Sequence, residues 1–470
     1  MDRRIRLFLF LLLSFLFTVG FVCASDAMFS LAQLIEEYLN NSYDGRIRSE
    51  QLRQQHYALD NSKAAFLPKF STRFQTPGHY YSHSGVALGD SIRKDYNYLS
   101  GDLTMTETFP FNADLSISKS LTYDFYEDET YINAESNISF NYYLFKKNTP
   151  KLEYEKSKLQ YDELTFSQKG ELNADILALV QDYYDAINQK ITITIMENKL
   201  ARNRNIAAIS DVKYTAGTTD ILTRNQLKIQ EKQTELELSG ERKTYEYYLQ
   251  SLADQIDRTL ISDIIIDTTL FLFQTTGFKS ENNPEILSLT SQLHALELDE
   301  QMAESDFDWY LTLGIDYNWG GDGDSFNSFS KDIKTDSYSA YIGIELPIFD
   351  GKITRRNILS IRSQKEEIKL QLEKKEKGLR TRWNYLTDMI SLLQDDIESY
   401  VELVQWSRDN LNVATDMLLR GELSYSDWTT IEENYEDYEL NLVNKKLTLN
   451  RYILETQEIV GNNLADVIIP

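Results

Sequence analysis

Cysteine is all but missing from this 470-residue chain; Cys23 is the only one. A lone thiol excludes a disulfide framework and a cysteine-built metal centre. Histidine is nearly as scarce. Of His56, His79, His83 and His294, only His79 and His83, in "HYYSH", stand close enough to share a metal, and no third ligand follows nearby. No phosphate-cradling glycine pattern accompanies a strand–helix unit. Acidic pairs such as Asp395 and Asp396 sit side by side on a helix and do not face one another. The residues thus offer no catalytic, cofactor-binding or metal constellation, and the chain reads as a non-enzyme. Basic residues are also short, with 48 Lys and Arg against 73 Asp and Glu, a formal charge of −25. Such acidity argues against nucleic acid and anionic lipid surfaces as partners.

Long apolar runs are confined to the first residues. Asp2, Arg3, Arg4 and Arg6 precede an apolar stretch from Leu7 to Val22, then "VCAS" with a cut expected after Ala24. Residues 1–24 therefore read as a secretory signal peptide, too short for a membrane span. Its removal would take Cys23 with it and move the charge to −27, because three arginines and one aspartate leave. A lipoprotein signal fits less well, since Val22 is not small. No later segment approaches ~20 continuous apolar residues, so any passage through a membrane must use a β-barrel. Thirty tyrosines and 12 % aromatic residues are too many for a disordered acidic chain.

Proline, with seven residues, marks where helices cannot pass. Pro68 closes a helical stretch from about Ser30; Pro77 and Pro110 lie in a Tyr/Ser/Thr-rich region; Pro150 and Pro284 open helical stretches; Pro347 ends a strand. Residues 151–283 and 348–469 hold none, and each span carries a seven-residue apolar repeat. Leu179, Ala186, Ile193, Leu200, Ala207 and Tyr214 recur in the first, and Trp383, Ile390, Ile397, Val404, Leu411 and Leu418 in the second, each 204 positions later. Leu379, Leu386, Leu393 and Tyr400 add a second stripe. Sustained heptads predict supercoiled helices, and the constant offset predicts an internal duplication. Its halves are residues 25–283 and 284–470. A helix from Phe145 to Gly217 would run about 100 Å. Glycine tolerates left-handed backbone angles, so Gly217 in "YTAGTTD" and Gly421 in "LLRGELSYSD" predict turns at which a second helix starts back from a new N-cap.

Before each hairpin lie alternating segments. "YLTLGIDYNW" puts Leu311, Leu313, Ile315, Tyr317 and Trp319 on one face, and "SYSAYIGIEL" does the same with Tyr338, Ala340, Ile342, Ile344 and Leu346. A polar loop from Gly320 to Asp336 joins them. "KFSTRFQ", "ADLSISKSLTY" and "INAESNISFNYYL" alternate likewise in the first half, and "GDLTMTETF" more weakly. Strands of this length with aromatic ends, here Tyr310, Tyr317, Trp319 and Tyr338, suit a transmembrane barrel with aromatics at the membrane interface. A water-soluble sandwich would alternate too, but the signal peptide and the placement around long helices weigh against it.

Together these residues resemble the TolC-like outer membrane efflux protein family. The resemblance rests on "SLAQLIEEYLNNS", "KAAFLPKFS", "YTAG" and "LLRG" at the tips, "ELPIFDGK" at the return into helix, and the duplication. It implies a mainly α fold with a β-barrel part: long antiparallel helical hairpins forming a periplasmic coiled-coil tunnel, plus four strands per subunit in a twelve-stranded barrel shared by a homotrimer in the outer membrane. It also implies passive conduction of what an inner-membrane pump and a periplasmic adaptor load into the tunnel, with Tyr214, Gly217, Leu418 and Gly421 at the adaptor-docking tips. Efflux of small molecules and type I secretion are both compatible. The family often carries aspartates six and nine positions past the second tip glycine; here those positions hold Asp427 and Thr430. Asp427 is the gate candidate that remains.

Length is a further departure. Pro68 to Phe145 spans 77 positions against 40 from Trp309 to Phe349, an excess of 37 that is either a long loop or an additional hairpin. The competing reading, a secreted coiled-coil protein of structural or adhesive role, accounts for the heptads and the acidity but not for the alternating strands.

Overall fold

The computed structural model describes residues 28–85, 91–125, 130–271, 277–323 and 335–469. The expected signal peptide with Cys23, and most of the loop between Gly320 and Asp336, lie outside the described residues. The chain divides into two compact units. A helical unit takes the chain up to Ser49, Gln168–Asn283 and everything from Lys377 onward; a strand unit takes Glu50–Ser167 and Pro284–Glu376. Each unit draws on both halves of the duplication.

The helices are α1 (Leu31–Asn41), α2 (Tyr43–Lys63), α3 (Thr149–Thr215), α4 (Ile221–Gln255), α5 (Pro284–Ser305), α6 (Ile353–Arg420), α7 (Tyr425–Ile459) and α8 (Leu464–Ile468). Thr149 and Ile353, Ile221 and Tyr425, and Gln255 and Ile459 are each 204 apart, so the duplication holds at the level of helix boundaries. Two boundaries differ from expectation. The stretch from Ser30 is not one helix, because Ser42 takes extended angles (φ −59°, ψ 146°) between α1 and α2, and its Oγ accepts the Gly45 N–H at 3.1 Å to start the second. Phe145 lies outside α3, with φ 68°. Asn148 caps α3 instead, its Oδ1 accepting the Lys151 N–H at 2.9 Å.

In the helical unit the heptad stripes are the core. Leu179, Ala186, Leu200 and Ala207 are buried, as are Trp383, Ile390, Ile397, Val404 and Leu411. Removing each large side chain of this kind from water contributes about 1.5–3 kcal/mol. The amphipathic opening helix α1 adds Leu34, Ile35 and Tyr38 to the same cluster as Ile176, Val180, Tyr183 and Leu252. Its start is a reciprocal capping box between Ser30 and Gln33. Strand β1 (Met28–Phe29) pairs in parallel with β6 (Asp263–Ile264), and the buried Tyr183 donates its hydroxyl to the Ile265 carbonyl at 2.6 Å beside them. The last turns are tied down by buried Asn173, which donates to the Asn462 carbonyl and accepts the Leu464 N–H. Gly461 is obligatory there: φ is +84°, and a Cβ would come within 2.0 Å of the Asn282 carbonyl oxygen.

The strand unit holds a six-stranded antiparallel sheet of β2 (Lys69–Gly85), β3 (Ser91–Phe109), β4 (Ala113–Phe125), β5 (Thr130–Leu144), β7 (Tyr310–Gly323) and β8 (Thr335–Glu345), paired in that order. The four strands per chain implied by the resemblance are therefore corrected to six. The excess of the first half is β3 and β4, joined by the short turn at residues 110–112, where Asn112 adopts φ 59°. Pro77 falls at the register shift between Gln75 and Gly78, where a missing N–H is tolerated. The sheet's two edges are β2 and β8. Around it, Lys156 pairs with Asp299 at 2.6 Å and Lys365 with Glu300 at 2.8 Å, linking α3 to α5 and α6 to α5 within this unit.

Candidate functional site

Strand register sorts the side chains of the whole sheet into two faces, because residues directly opposite share a face and successive residues alternate. Following the pairs from Phe70↔Met105 through Met105↔Ile117, Ile117↔Ile138, Ile138↔Tyr317 and Tyr317↔Tyr338 gives a mainly apolar face, on which Glu107, Lys119, Ser136 and Asp336 also stand. Its members on β8, Tyr338, Ile342 and Ile344, are largely exposed, Tyr338 at 86 %. The opposite face is polar on every strand: Ser71, Thr104, Ser116, Ser139, Asp316 and Ser339 stand in neighbouring register on it. Among residues with described side chains it carries Asp102, Asp114, Asp124, Glu135, Asp316 and Glu345 against Lys69 and Arg73. On this face Tyr341 lies across Gly314 and donates to Asn141 Oδ1 at 2.8 Å; a Cβ on Gly314 would meet the ring at 2.2 Å.

The expected interface aromatics fall into two groups. Tyr317, Trp319 and Tyr338 share the apolar face, with Tyr317 stacked on Trp319 at 5.2 Å. Tyr310 lies on the polar face, where its hydroxyl donates to Glu345 and its ring meets Tyr143 edge-on. His79 contacts Asn97 Oδ1 at 3.3 Å, and the side chain of His83 lies outside the description. Among the described residues no group of three His, Cys, Asp or Glu is placed to hold a metal.

The hairpin tips belong to the helical unit. Gly217 and Gly421 take φ +74° and +78°. At each, the glycine N–H and the next N–H reach back to carbonyls three and five residues earlier, Tyr214 and Lys213 in one, Leu418 and Met417 in the other. Asp220 then caps α4 through the Thr223 N–H at 2.8 Å, and Ser424 caps α7 through the Asp427 N–H at 3.1 Å. Asp427 is exposed, and its carboxylate accepts the Ser424 hydroxyl at 2.7 Å, so it completes the start of α7. Tyr214 carries the Arg224 guanidinium over its ring at 4.9 Å. Hydrogen bonds from Lys228 and Arg224 hold the Asp211 carboxyl below its ordinary range. Leu418 packs against a small core of Ile206, Ala207, Leu227, Leu411, Ala414 and Trp428.

Beside that core lies a polar network that no local pattern signals. Glu432, 1 % exposed, accepts from Arg202 at 2.6 Å; Arg202 also reaches Glu436 at 2.7 Å, and Lys199 donates to Glu436 at 3.0 Å. Burial pushes the Glu432 carboxyl above its usual range, and Arg202 pulls it part of the way back. The network joins α3 of the first half to α7 of the second.

No protein-family model and no curated protein matches the sequence. Solved structures do. The outer membrane protein VceC of Vibrio cholerae aligns over 92 % of this chain and 96 % of its own, at 15 % identity and a TM-score of 0.71. The CmeC outer membrane channel of Campylobacter jejuni aligns over 92 % and 85 % at 14 % identity and 0.67. The MtrE outer membrane channel of Neisseria gonorrhoeae, solved in its open state, gives 92 % and 89 % at 12 % identity and 0.67. Matched over nine-tenths of its length to such channels, with paired helical hairpins and a two-faced sheet, the chain has the TolC-like outer membrane channel fold.

Proposed function

We propose that this protein is an outer membrane channel-tunnel that passively conducts solutes received from an inner-membrane pump and a periplasmic adaptor, in efflux or type I secretion. The observation that carries the reading is the six-stranded sheet, mainly apolar on one face and polar on the other, with β2 and β8 at its two edges. Lipid tolerates no open edge, so such a sheet enters a bilayer only when copies join edge to edge into a closed barrel with the polar face inward. Three copies is the number that the resemblance implies. The exported chain would then lodge in the outer membrane of a double-membraned bacterium, with its helices in the periplasm. The tips at Tyr214, Gly217, Leu418 and Gly421 would meet the adaptor, and Asp427 would stand near the periplasmic mouth.

The similarity to outer membrane channels supports this reading over an adhesive coiled coil, which has no use for a two-faced sheet. Cell fractionation, heat-modifiable migration and planar-bilayer recording of the purified protein test it. Outer membrane recovery, a heat-sensitive oligomer and discrete conductance steps are expected. A soluble or loosely attached chain that forms no pore would refute it.

A further inference from the structure

The hairpin β3–β4 extends both faces of the sheet in register with its neighbours, which is how a wall element is built. On its apolar side stand Leu99, Leu103, Met105, Ile117, Leu121 and Tyr123, with Glu107 and Lys119 as charged exceptions; on its polar side Ser100, Thr104, Thr106, Ser116, Ser118 and Thr122 alternate with them. A loop, plug or cap would not keep this alternation in register with β2 on one side and β5 on the other. The same hairpin alters the charge of the polar face. Among residues with described side chains it adds Asp102, Asp114 and Asp124 to that face and no basic residue, whereas β2, β5, β7 and β8 together present Glu135, Asp316 and Glu345 against Lys69 and Arg73.

We infer that the β3–β4 hairpin makes the shared barrel of three copies eighteen-stranded, wider and more acidic than a twelve-stranded one, and that this exit serves bulky cationic solutes, basic polypeptides among them. The inference rests on the channel reading above. With strands about 4.8 Å apart and tilted about 40°, each strand adds about 2 Å of diameter, so the backbone diameter rises from about 24 Å to about 36 Å. Side chains reach in by about 5 Å from each wall, leaving about 26 Å clear in place of about 14 Å. That opening passes two helices side by side, each about 10–12 Å across. Among the described side chains the acidic excess on the inner face is four per chain with the hairpin and one without it. A ring of carboxylates on a water-filled wall concentrates cations and repels polyanions.

The test compares the full-length protein with a deletion of residues 91–127, which removes the excess of the first half and joins β2 to β5. Native mass spectrometry in detergent counts the copies. Polyethylene glycols of graded size, added to the outer side of a bilayer channel, report the width of the barrel mouth, and reversal potentials in a salt gradient report selectivity. Three copies, a mouth admitting polymers about 1.5- to 2-fold wider in diameter than the deletion admits, and loss of most of the cation preference on deletion are expected. If the deletion does not fold, the triple substitution Asp102→Asn, Asp114→Asn, Asp124→Asn should lower cation preference while leaving the wide polymer cut-off of the parent unchanged. A two-copy assembly, which would close at twelve strands, or a parent cut-off near 14 Å overturns the inference and leaves the channel reading standing. A protein that forms no pore overturns both.

Discussion

Replacing Arg202 by methionine keeps most of the side chain's length and removes its charge, leaving Glu432 buried with its direct partner gone. Removing one member of a buried ion pair costs about 3–5 kcal/mol, because the remaining charge stays desolvated. Here Lys199 still holds the neighbouring Glu436, so the lower end, about 3 kcal/mol, is expected. Glu432→Gln keeps a hydrogen-bonding oxygen and removes the charge, and should cost only about 1 kcal/mol. Acidity sharpens the contrast. A carboxyl whose folded value lies above its ordinary 4.5, as burial makes that of Glu432, stabilises the fold fully below the ordinary value and loses this as pH rises through the folded value. Without Arg202 that loss is uncompensated. The Arg202→Met deficit should therefore be largest at about pH 7.5 and shrink towards about pH 5. Urea unfolding followed by far-ultraviolet circular dichroism at both pH values measures it. The reasoning fails if Arg202→Met costs no more than Glu432→Gln, or if its deficit grows on acidification.

Gly461→Ala should destabilise by about 3 kcal/mol or more, since it combines a left-handed backbone with a Cβ placed 2.0 Å from the Asn282 carbonyl oxygen; thermal unfolding of the variant checks this. A Cβ on Gly421 would meet nothing within 4 Å, so Gly421→Trp should cost about 1–2 kcal/mol of left-handed strain, yet abolish export in cells; equal loss of the folded oligomer would make the glycine structural alone. Asp427→Asn should weaken block of the channel by multivalent cations. Unchanged block in planar bilayers would leave Asp427 as the partner of the Ser424 cap of α7 and nothing more.

What the amino-acid order made legible was whatever repeats at short range. The heptad positions are the buried ones because a helix brings every seventh residue back to one side, and the tip glycines were legible because glycine takes φ near +75° at little cost and an N-cap residue, Asp220 or Ser424, follows each within three positions. The β3 segment read weakly for a physical reason: Gly101 and Glu107 interrupt its apolar row, and the ring of Phe74 on the neighbouring strand covers the glycine, a compensation that only pairing reveals. Its companion β4 alternated cleanly, but whether the two segments formed a wall or a loop depended on the turn at Pro110, Phe111 and Asn112. The Arg202–Glu432 pair joins positions 230 apart, and no local pattern couples them. Tyr310 shows the limit of composition: it is aromatic and at a strand end, but one residue out of phase with its neighbours and so on the other face.

The strand order has a kinetic side. Every ladder in the sheet joins segments adjacent in the chain except β5 with β7, where Leu144 meets Leu311. Closing so long an intervening chain costs about 2 kcal/mol more conformational entropy than closing the connection between β7 and β8. The four-strand meander β2–β5 and the hairpin β7–β8 are thus the pieces that form early, and the seam between them is the late event. Until it closes, the newly made chain carries four raw strand edges in place of two. That interval is when a protease, an aggregating neighbour or an assembly helper has its best chance at it.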